Sequence, residues 1–135
     1  MKYLLDTNTC VQYLRKGSAS LVSAKLATHQ RSDIALCTVV LTELLYGALR
    51  SRNVATNLKE VHNFVVGFPS LSFDEPSAEQ CANIRADLAA KGTPIGPHDV
   101  MIAAIALVHG LTLVTHNTSE FSRVAELTLE DWQVP

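Results

Sequence analysis

Four acidic residues have the types and positions needed for metal-assisted chemistry. Asp6 ends a short apolar run, and Asp99 opens a long apolar segment. Glu43 lies inside an apolar helical pattern, and Glu120 lies in a polar turn near the carboxyl terminus. Four carboxylates in one crevice cannot all ionise without a counter-charge. The simplest counter-charge is Mg²⁺ or Mn²⁺, which prefers oxygen ligands. Such a site is suited to hydrolysis of phosphodiester bonds.

Each acid alone also has a simpler structural interpretation. Asp6 fits an Asx turn or a helix cap, and Asp99 fits the first turn of a helix. Glu43 shares a helical stripe with Gly47 and Arg50, which is typical of a solvated face. Gly47 weakens that interpretation, because glycine inside a helix is unfavourable unless another group approaches closely. The chemical interpretation therefore depends on whether the four acids meet.

The elements that would position these acids alternate between strands and helices. Short apolar runs predict strands at residues 2–5, 33–37, 71–73 and 111–115. Capping residues and apolar periodicity predict helices at residues 7–17, 18–28 (capped by Ser18), 38–49, 53–68, 77–90 and 98–109. This alternation predicts an α/β fold with a parallel sheet covered on both faces. Such sheets carry functional groups at the carboxyl ends of their strands, where Asp6 and Glu120 are expected to share one edge.

Composition limits the other classes of protein. The chain has 135 residues, 47% of them hydrophobic and 18% charged, which predicts one globular domain over residues 1–135. The net charge is −2, and only Arg123 is basic after Lys91, so a histone-like nucleic-acid binder is excluded. The low charged fraction indicates that part of the surface is buried against a partner.

Cysteine usage and hydropathy predict the compartment. Cys10, Cys37 and Cys81 are odd in number and lack CxxC spacing, which argues against a disulfide framework or a zinc ribbon. Asp6 interrupts the amino-terminal apolar run too early for a signal peptide. No apolar run is long enough to span a bilayer. We expect a soluble, cytoplasmic protein.

Four stretches form one ordered pattern: residues 4–8 (LLDTN), 42–47 (TELLYG), 95–99 (IGPHD) and 113–121 (LVTHNTSEF). Together they resemble the PIN-domain ribonucleases, specifically the VapC toxins of bacterial toxin–antitoxin pairs. The likeness covers nearly the whole chain and includes residues 129–132 (LEDW). It implies a PIN fold, a small parallel sheet of four or five strands flanked by helices. It also implies a metal-dependent endoribonuclease that cuts tRNA or rRNA.

The resemblance assigns the site residue by residue. Asp6, Glu43 and Asp99 match the three core acids of the family. Many PIN domains carry an Asp where this chain has Asn117, but a similar subgroup uses the Glu of an Asn-Thr-x-Glu-Phe turn, so the fourth acid is Glu120. Mg²⁺ or Mn²⁺ is expected on Asp6, Asp99 and Glu120, with Glu43 on the far side.

Further residues are expected to support the site and the substrate. The resemblance assigns Thr7 or Asn8 to support of the first acid, and Asn117 to a water or a phosphate. Tyr46 can stack on a base, although packing in the core or in a dimer is the simpler interpretation. Basic residues around the crevice are expected to position RNA phosphates; they are Arg15, Lys16, Arg50 and Arg52.

Partners also follow from the resemblance. The family forms homodimers and is neutralised by a VapB antitoxin. The carboxyl-terminal segment of that antitoxin lies in the toxin groove and presents an Arg to the acids. Products of the reaction are expected to carry 5′-phosphate and 3′-hydroxyl ends.

Other functions remain open from sequence alone. A phosphoryl-accepting receiver needs a Lys after a late strand, and none follows Lys91. A haloacid-dehalogenase phosphatase needs an acid at the position of Asn8. A zinc hydrolase would use His98, His109 and His116, which lack the spacing of a helical zinc site. The remaining alternatives are a non-catalytic binding protein on a PIN scaffold and a metal-dependent phosphohydrolase with another substrate.

Overall fold

Five short strands, all parallel, form the centre of the molecule, and seven helices flank them. The structure is a computed structural model that describes all 135 residues. The strands are β1 (Tyr3–Leu5), β2 (Ile34–Cys37), β3 (Ser70–Leu71), β4 (Thr112–Val114) and β5 (Leu129–Glu130), in the order β3-β2-β1-β4-β5. The helices are α1 (Thr7–Lys16), α2 (Leu21–Leu26), α3 (Thr38–Leu49), α4 (Val54–Val65), α5 (Glu75–Ala90), α6 (Pro97–Val108) and α7 (Thr118–Phe121). The predicted α/β fold with a small parallel sheet is confirmed.

The register of the central strands places two polar residues side by side. Leu5 of β1 pairs with Val114 of β4, and both strands end there. The next residues, Asp6 and Thr115, therefore emerge at one edge of the sheet, where the Asp6 N–H donates to the Val114 carbonyl at 3.1 Å. This is the carboxyl edge on which α/β proteins build their sites.

The apolar sequence runs form the core that holds this edge. All four residues of β2 are buried, as are Leu4 and Leu5 of β1. Helix α6 packs against α5, α3 and β4, and every residue from Ile102 to Ala106 is buried. Burial of a large aliphatic side chain contributes about 1.5–3 kcal/mol, so α6 is firmly anchored. Its first turn, which carries Asp99, is fixed with it.

Local capping explains where the helices begin and end. The Asp6 Oδ1 accepts from the Thr9 N–H at 2.9 Å and caps α1, which ends at Gly17. Gly17 has a φ of 54°, a left-handed conformation that favours glycine. The prediction that Ser18 caps α2 is wrong. Residues 17–19 form a 3₁₀ turn, and the Ser20 hydroxyl caps α2 by accepting from the Ser23 N–H at 2.9 Å.

Three further element bounds differ from the sequence predictions, and two short elements were not predicted. Helix α5 begins at Glu75 rather than at residue 77, because the Asp74 side chain caps it. Helix α4 ends at Val65, and the third strand is Ser70–Leu71 rather than 71–73. The polar turn at residues 116–120 contains α7, and strand β5 was not predicted. Elements of two to four residues are too short to show a period in sequence.

Three further features concern the helices, the cysteines and the carboxyl-terminal segment. None of the seven helices combines the length and the apolar composition needed to cross a membrane. Cys10, Cys37 and Cys81 are all buried and unpaired. Trp132 is also buried and packs against both Tyr3 and His29, which attaches the carboxyl-terminal segment to the sheet.

Candidate active site

Asp6 both caps α1 and faces the site edge. Its side chain is buried and binds the Thr9 N–H through Oδ1. Burial raises the pKa of the Asp6 carboxyl, and hydrogen bonding by the Thr115 side chain and by Thr9 opposes that rise only in part. The capping role and the chemical role therefore belong to the same carboxylate, rather than excluding one another.

Glu43 projects from α3 and is held through both carboxylate oxygens. The Thr7 hydroxyl donates to its Oε1 in a short hydrogen bond. Its Oε2 lies 3.5 Å from Nδ1 of His98. The first residue of α1 and the first turn of α6 therefore fix the orientation of a carboxylate on α3. Glu43 is therefore not a freely solvated side chain, which is the simpler interpretation of the helical stripe that it shares with Gly47 and Arg50.

Asp99 is the acid on which the charges of the other three acids all act. Burial and the negative charges of Asp6, Glu120 and Glu43 raise the pKa of the Asp99 carboxyl to about 6. His98 acts in the opposite direction but does not cancel this effect. The four acids thus share one electrostatic environment. Like charges at close range disfavour ionisation unless a cation enters.

Glu120 is oriented by Asn117, the residue immediately before α7. The Asn117 Nδ2 donates to the Glu120 Oε2, and the Asn117 N–H donates to the Thr115 hydroxyl at 3.0 Å. Thr115 is buried at the end of β4. The Asn117 side chain therefore orients the fourth acid directly, and Glu120 rather than Asn117 supplies the charge that reaches Asp99.

No Lys or Arg side chain forms an ion pair with an acid of the crevice. The ion pairs of the chain are Lys91–Asp87, His98–Glu43 and His116–Asp131. Asp6, Asp99 and Glu120 consequently have no basic side chain within ion-pair distance. Oxygen donors with uncompensated charge fit a hard divalent cation. No three His, Cys, Asp or Glu side chains converge closely enough in this structure to form a ready ligand set.

The predicted supporting residues divide between the two sides of the crevice. Thr7 contacts Glu43, whereas Asn8 is exposed and no side-chain hydrogen bond joins it to an acid. The direct support for Asp6 is Thr9. Thr9 lies only a few residues after the end of β1, so the run of capping residues at the start of α1 already indicated a contact between Thr9 and Asp6.

All four basic residues are exposed: Arg15 and Lys16 lie at the end of α1, and Arg50 and Arg52 follow α3. Arg15 lines a groove of about 260 Å³ between α1, α3 and α4, together with Glu43 and Gly47. Lys16 lines a separate cavity of about 220 Å³, and Arg50 donates to the Tyr46 hydroxyl at 3.1 Å. Arg52 is exposed at the end of the same helix. None of the four forms an ion pair with a carboxylate.

Sequence reasoning missed the contacts of three histidines and the position of Thr115. His98 was considered only as a zinc ligand, yet it lies against Glu43. His116 pairs with Asp131 at 2.8 Å, and His109 lies near enough to Asp74 to lower the pKa of that carboxyl, although the Ser77 hydrogen bonds lower it more. The three histidines thus lie beside three different acids, which disagrees with a shared zinc site. Thr115 was also missed, although its position after β4 follows from the strand-end rule.

Comparison with known proteins gives a consistent result. The PIN domain family matches residues 3–127. The chain is 40% identical over 132 residues to the tRNA(fMet)-specific endonuclease VapC of Shigella flexneri, and the match covers 98% of each protein.

Solved structures agree in fold. DNA-bound VapBC from Salmonella typhimurium superposes with a TM-score of 0.92 at 38% identity, over 98% of both chains. VapBC2 from Rickettsia felis, bound to a DNA fragment from its promoter, gives a TM-score of 0.91 at 32% identity. That match covers 98% of this chain and 99% of the other. The similarity therefore extends over essentially all the elements that position the four acids.

Proposed function

The chain belongs to the PIN domain family, with VapC ribonucleases as relatives, and from this premise we propose that it is a metal-dependent endoribonuclease toxin. The toxin would hydrolyse phosphodiester bonds in RNA, with tRNA as the first substrate class to test, and so inhibit translation. The observation that carries the proposal is the shared environment of the four acids, expressed in the raised pKa of Asp99.

Mg²⁺ or Mn²⁺ would be held by Asp6, Asp99 and Glu120. These carboxylates supply hard oxygen donors, and they have no basic partner that would have to be displaced. When bound, the cation supplies stabilisation of negative charge on the phosphoryl oxygens. Asn117 orients Glu120, and the Thr9 backbone orients Asp6, so two of the three proposed ligands are held in place by neighbouring residues.

Glu43 is proposed to orient the attacking water. Thr7 and His98 hold its two oxygens, which fixes the direction in which the carboxylate accepts a hydrogen bond. The water oxygen forms a bond to phosphorus and releases a proton to solvent, while the bond from phosphorus to the 3′ oxygen breaks and that oxygen takes up a proton from solvent. The products carry 5′-phosphate and 3′-hydroxyl ends. Fixed orientation of the reactants is a large source of rate enhancement.

RNA would be positioned by the exposed basic residues around the crevice. Arg15 lies in the groove that also contains Glu43, and Arg50 and Arg52 lie at the end of α3. Phosphate contacts of this kind set register without reading sequence. The chain can therefore bind RNA while keeping a net charge of −2.

Partners are proposed on the same basis. The matched structures from Salmonella typhimurium and Rickettsia felis are VapBC complexes. A VapB-type antitoxin is therefore the expected inhibitor, and a homodimer is the expected state of the toxin. The low charged fraction and the exposed apolar residues, including Leu21 and Val66, are consistent with surface reserved for other protein chains.

The proposal is tested by incubating purified protein with a tRNA(fMet) transcript. Cleavage is expected with Mg²⁺ or Mn²⁺, and its loss is expected in excess EDTA and in Asp6→Asn or Asp99→Asn. Asp87→Asn is the matched control, because that exposed acid pairs with Lys91 away from the crevice. Full activity of either site variant, or full activity in EDTA, contradicts the mechanism.

Two alternatives have distinct outcomes in the same experiment. A non-catalytic scaffold would bind RNA without cutting it, but the presence of all four acids in one environment disfavours that function. A phosphohydrolase with another substrate would release phosphate from p-nitrophenyl phosphate or nucleotides and leave the tRNA intact.

A further inference from the structure

One large aromatic side chain stands exposed beside the acidic crevice. Tyr46 is 60% exposed, so the structure excludes a core role for it. It lies three residues after Glu43 on α3, about 4.5 Å further along the helix axis. Residues at this spacing are neighbours on a helix surface. The proposed mechanism does not use this ring.

Arg50 restrains the Tyr46 ring. Its Nη1 donates to the Tyr46 hydroxyl at 3.1 Å, and the guanidinium carbon lies 5.9 Å from the ring centroid. Arg50 has no carboxylate partner, so its charge is available to an incoming anion. A ring that is already oriented loses less conformational entropy when a ligand stacks on it.

We infer that Tyr46 and Arg50 form a nucleotide platform that binds the RNA next to the cleaved bond. The Tyr46 ring stacks on an unpaired base, and the Arg50 guanidinium pairs with an adjacent phosphate. Aromatic stacking combined with a positive charge is the usual way in which proteins bind single-stranded RNA. This inference rests on the proposed endoribonuclease function and adds the substrate feature that is recognised, an unpaired nucleotide.

A neighbouring apolar residue separates this inference from a protein interface. Leu49 is 57% exposed and lies three residues after Tyr46 on the same helix. A protein partner seated on this face would bury both side chains and depend on both. A stacked base depends on the aromatic ring alone, because Leu49 offers no π face.

The test compares three variants in steady-state cleavage of a tRNA(fMet) transcript. Tyr46→Leu is expected to raise KM about 5- to 100-fold, the range for loss of one stacked base, while kcat stays close to that of the wild type. Tyr46→Phe keeps the ring and is expected to retain a KM within about threefold of the wild type. Leu49→Ala is the matched control and is expected to behave as wild type. Circular dichroism confirms that each variant is folded.

Three outcomes overturn the inference. An unchanged KM for Tyr46→Leu excludes stacking. Equal losses in Tyr46→Leu and Leu49→Ala, accompanied by dissociation of a homodimer in light scattering, assign this face to self-association. Absence of any RNA cleavage by the wild type refutes the proposed function itself, which distinguishes that failure from a failure of the platform alone.

Discussion

Replacement of Asp99 by Asn should stabilise the fold while it removes cleavage. The surroundings of Asp99 raise its pKa from 3.8 to about 6, so the folded state disfavours the charged form. A shift of about two pKa units corresponds to about 3 kcal/mol at neutral pH. Because the side chain is only half-buried, solvent screening reduces this penalty to about 1–2 kcal/mol. Asn keeps the size of the side chain and carries no charge.

The gain in stability of Asp99→Asn over the wild type should increase as the pH rises. Below pH 4, Asp99 is protonated in both the folded and the unfolded chain, and the variant gains little. As pH rises from about 4 to about 6, the unfolded chain ionises first, and the wild type loses stability relative to Asp99→Asn. Above pH 6 the difference is complete. At pH 7.5 the variant should therefore melt about 4–8 °C higher.

Urea denaturation in EDTA at pH 4 and at pH 7.5 measures this difference. Asp87→Asn is the control, and its exposed pair with Lys91 should change the free energy of unfolding by less than about 1 kcal/mol. Mg²⁺ should stabilise the wild type and not Asp99→Asn, because binding to the folded state raises its stability. An Asp99→Asn protein that is equally or less stable than the wild type at pH 7.5 in EDTA refutes the account of the acidic crevice.

Three further predictions concern the support of the site and the core. Thr7→Val removes the hydroxyl that orients Glu43, so kcat should fall about tenfold or more while KM is unchanged, as measured by steady-state cleavage; an unchanged kcat contradicts the role of Thr7. Glu43→Gln should lower kcat further and leave Mg²⁺ binding measurable by calorimetry, since Glu43 is not a proposed ligand. Ile102→Ala, at a fully buried position of α6, should lower the free energy of unfolding by about 2–5 kcal/mol in urea, and a smaller loss would mean that α6 is not tightly packed.

Elements with a strong local signal were predictable from sequence. Strand β2 and helix α6 are continuous apolar runs, and burial on all sides explains that composition. The strand-end rule also predicts that Asp6 and Glu120 share one edge of the sheet, and in the structure the negative charges of both act on Asp99. The sequence predicts either a helix cap or a site acid at Asp6. In the structure one carboxylate caps α1 and also faces the site edge.

Contacts between distant residues were not predictable in the same way. The Thr7 hydroxyl reaches Glu43 across 36 residues of chain, and no local pattern encodes that pairing. His98 contacts Glu43 only because α6 packs against α3. Strand β5 contains two residues and forms by pairing with β4, so its signal lies in the sheet rather than in its own sequence. The capping error at Ser18 arose because two serines two residues apart offer equivalent side chains.

The most direct test of the central claim is to map RNA ends after expression of the wild type and of Asp99→Asn in the same cells. The account predicts new 5′-phosphate and 3′-hydroxyl ends at defined positions in tRNA with the wild type, and none with Asp99→Asn. The same ends in both samples, or none in either, would contradict an endoribonuclease that depends on the four acids.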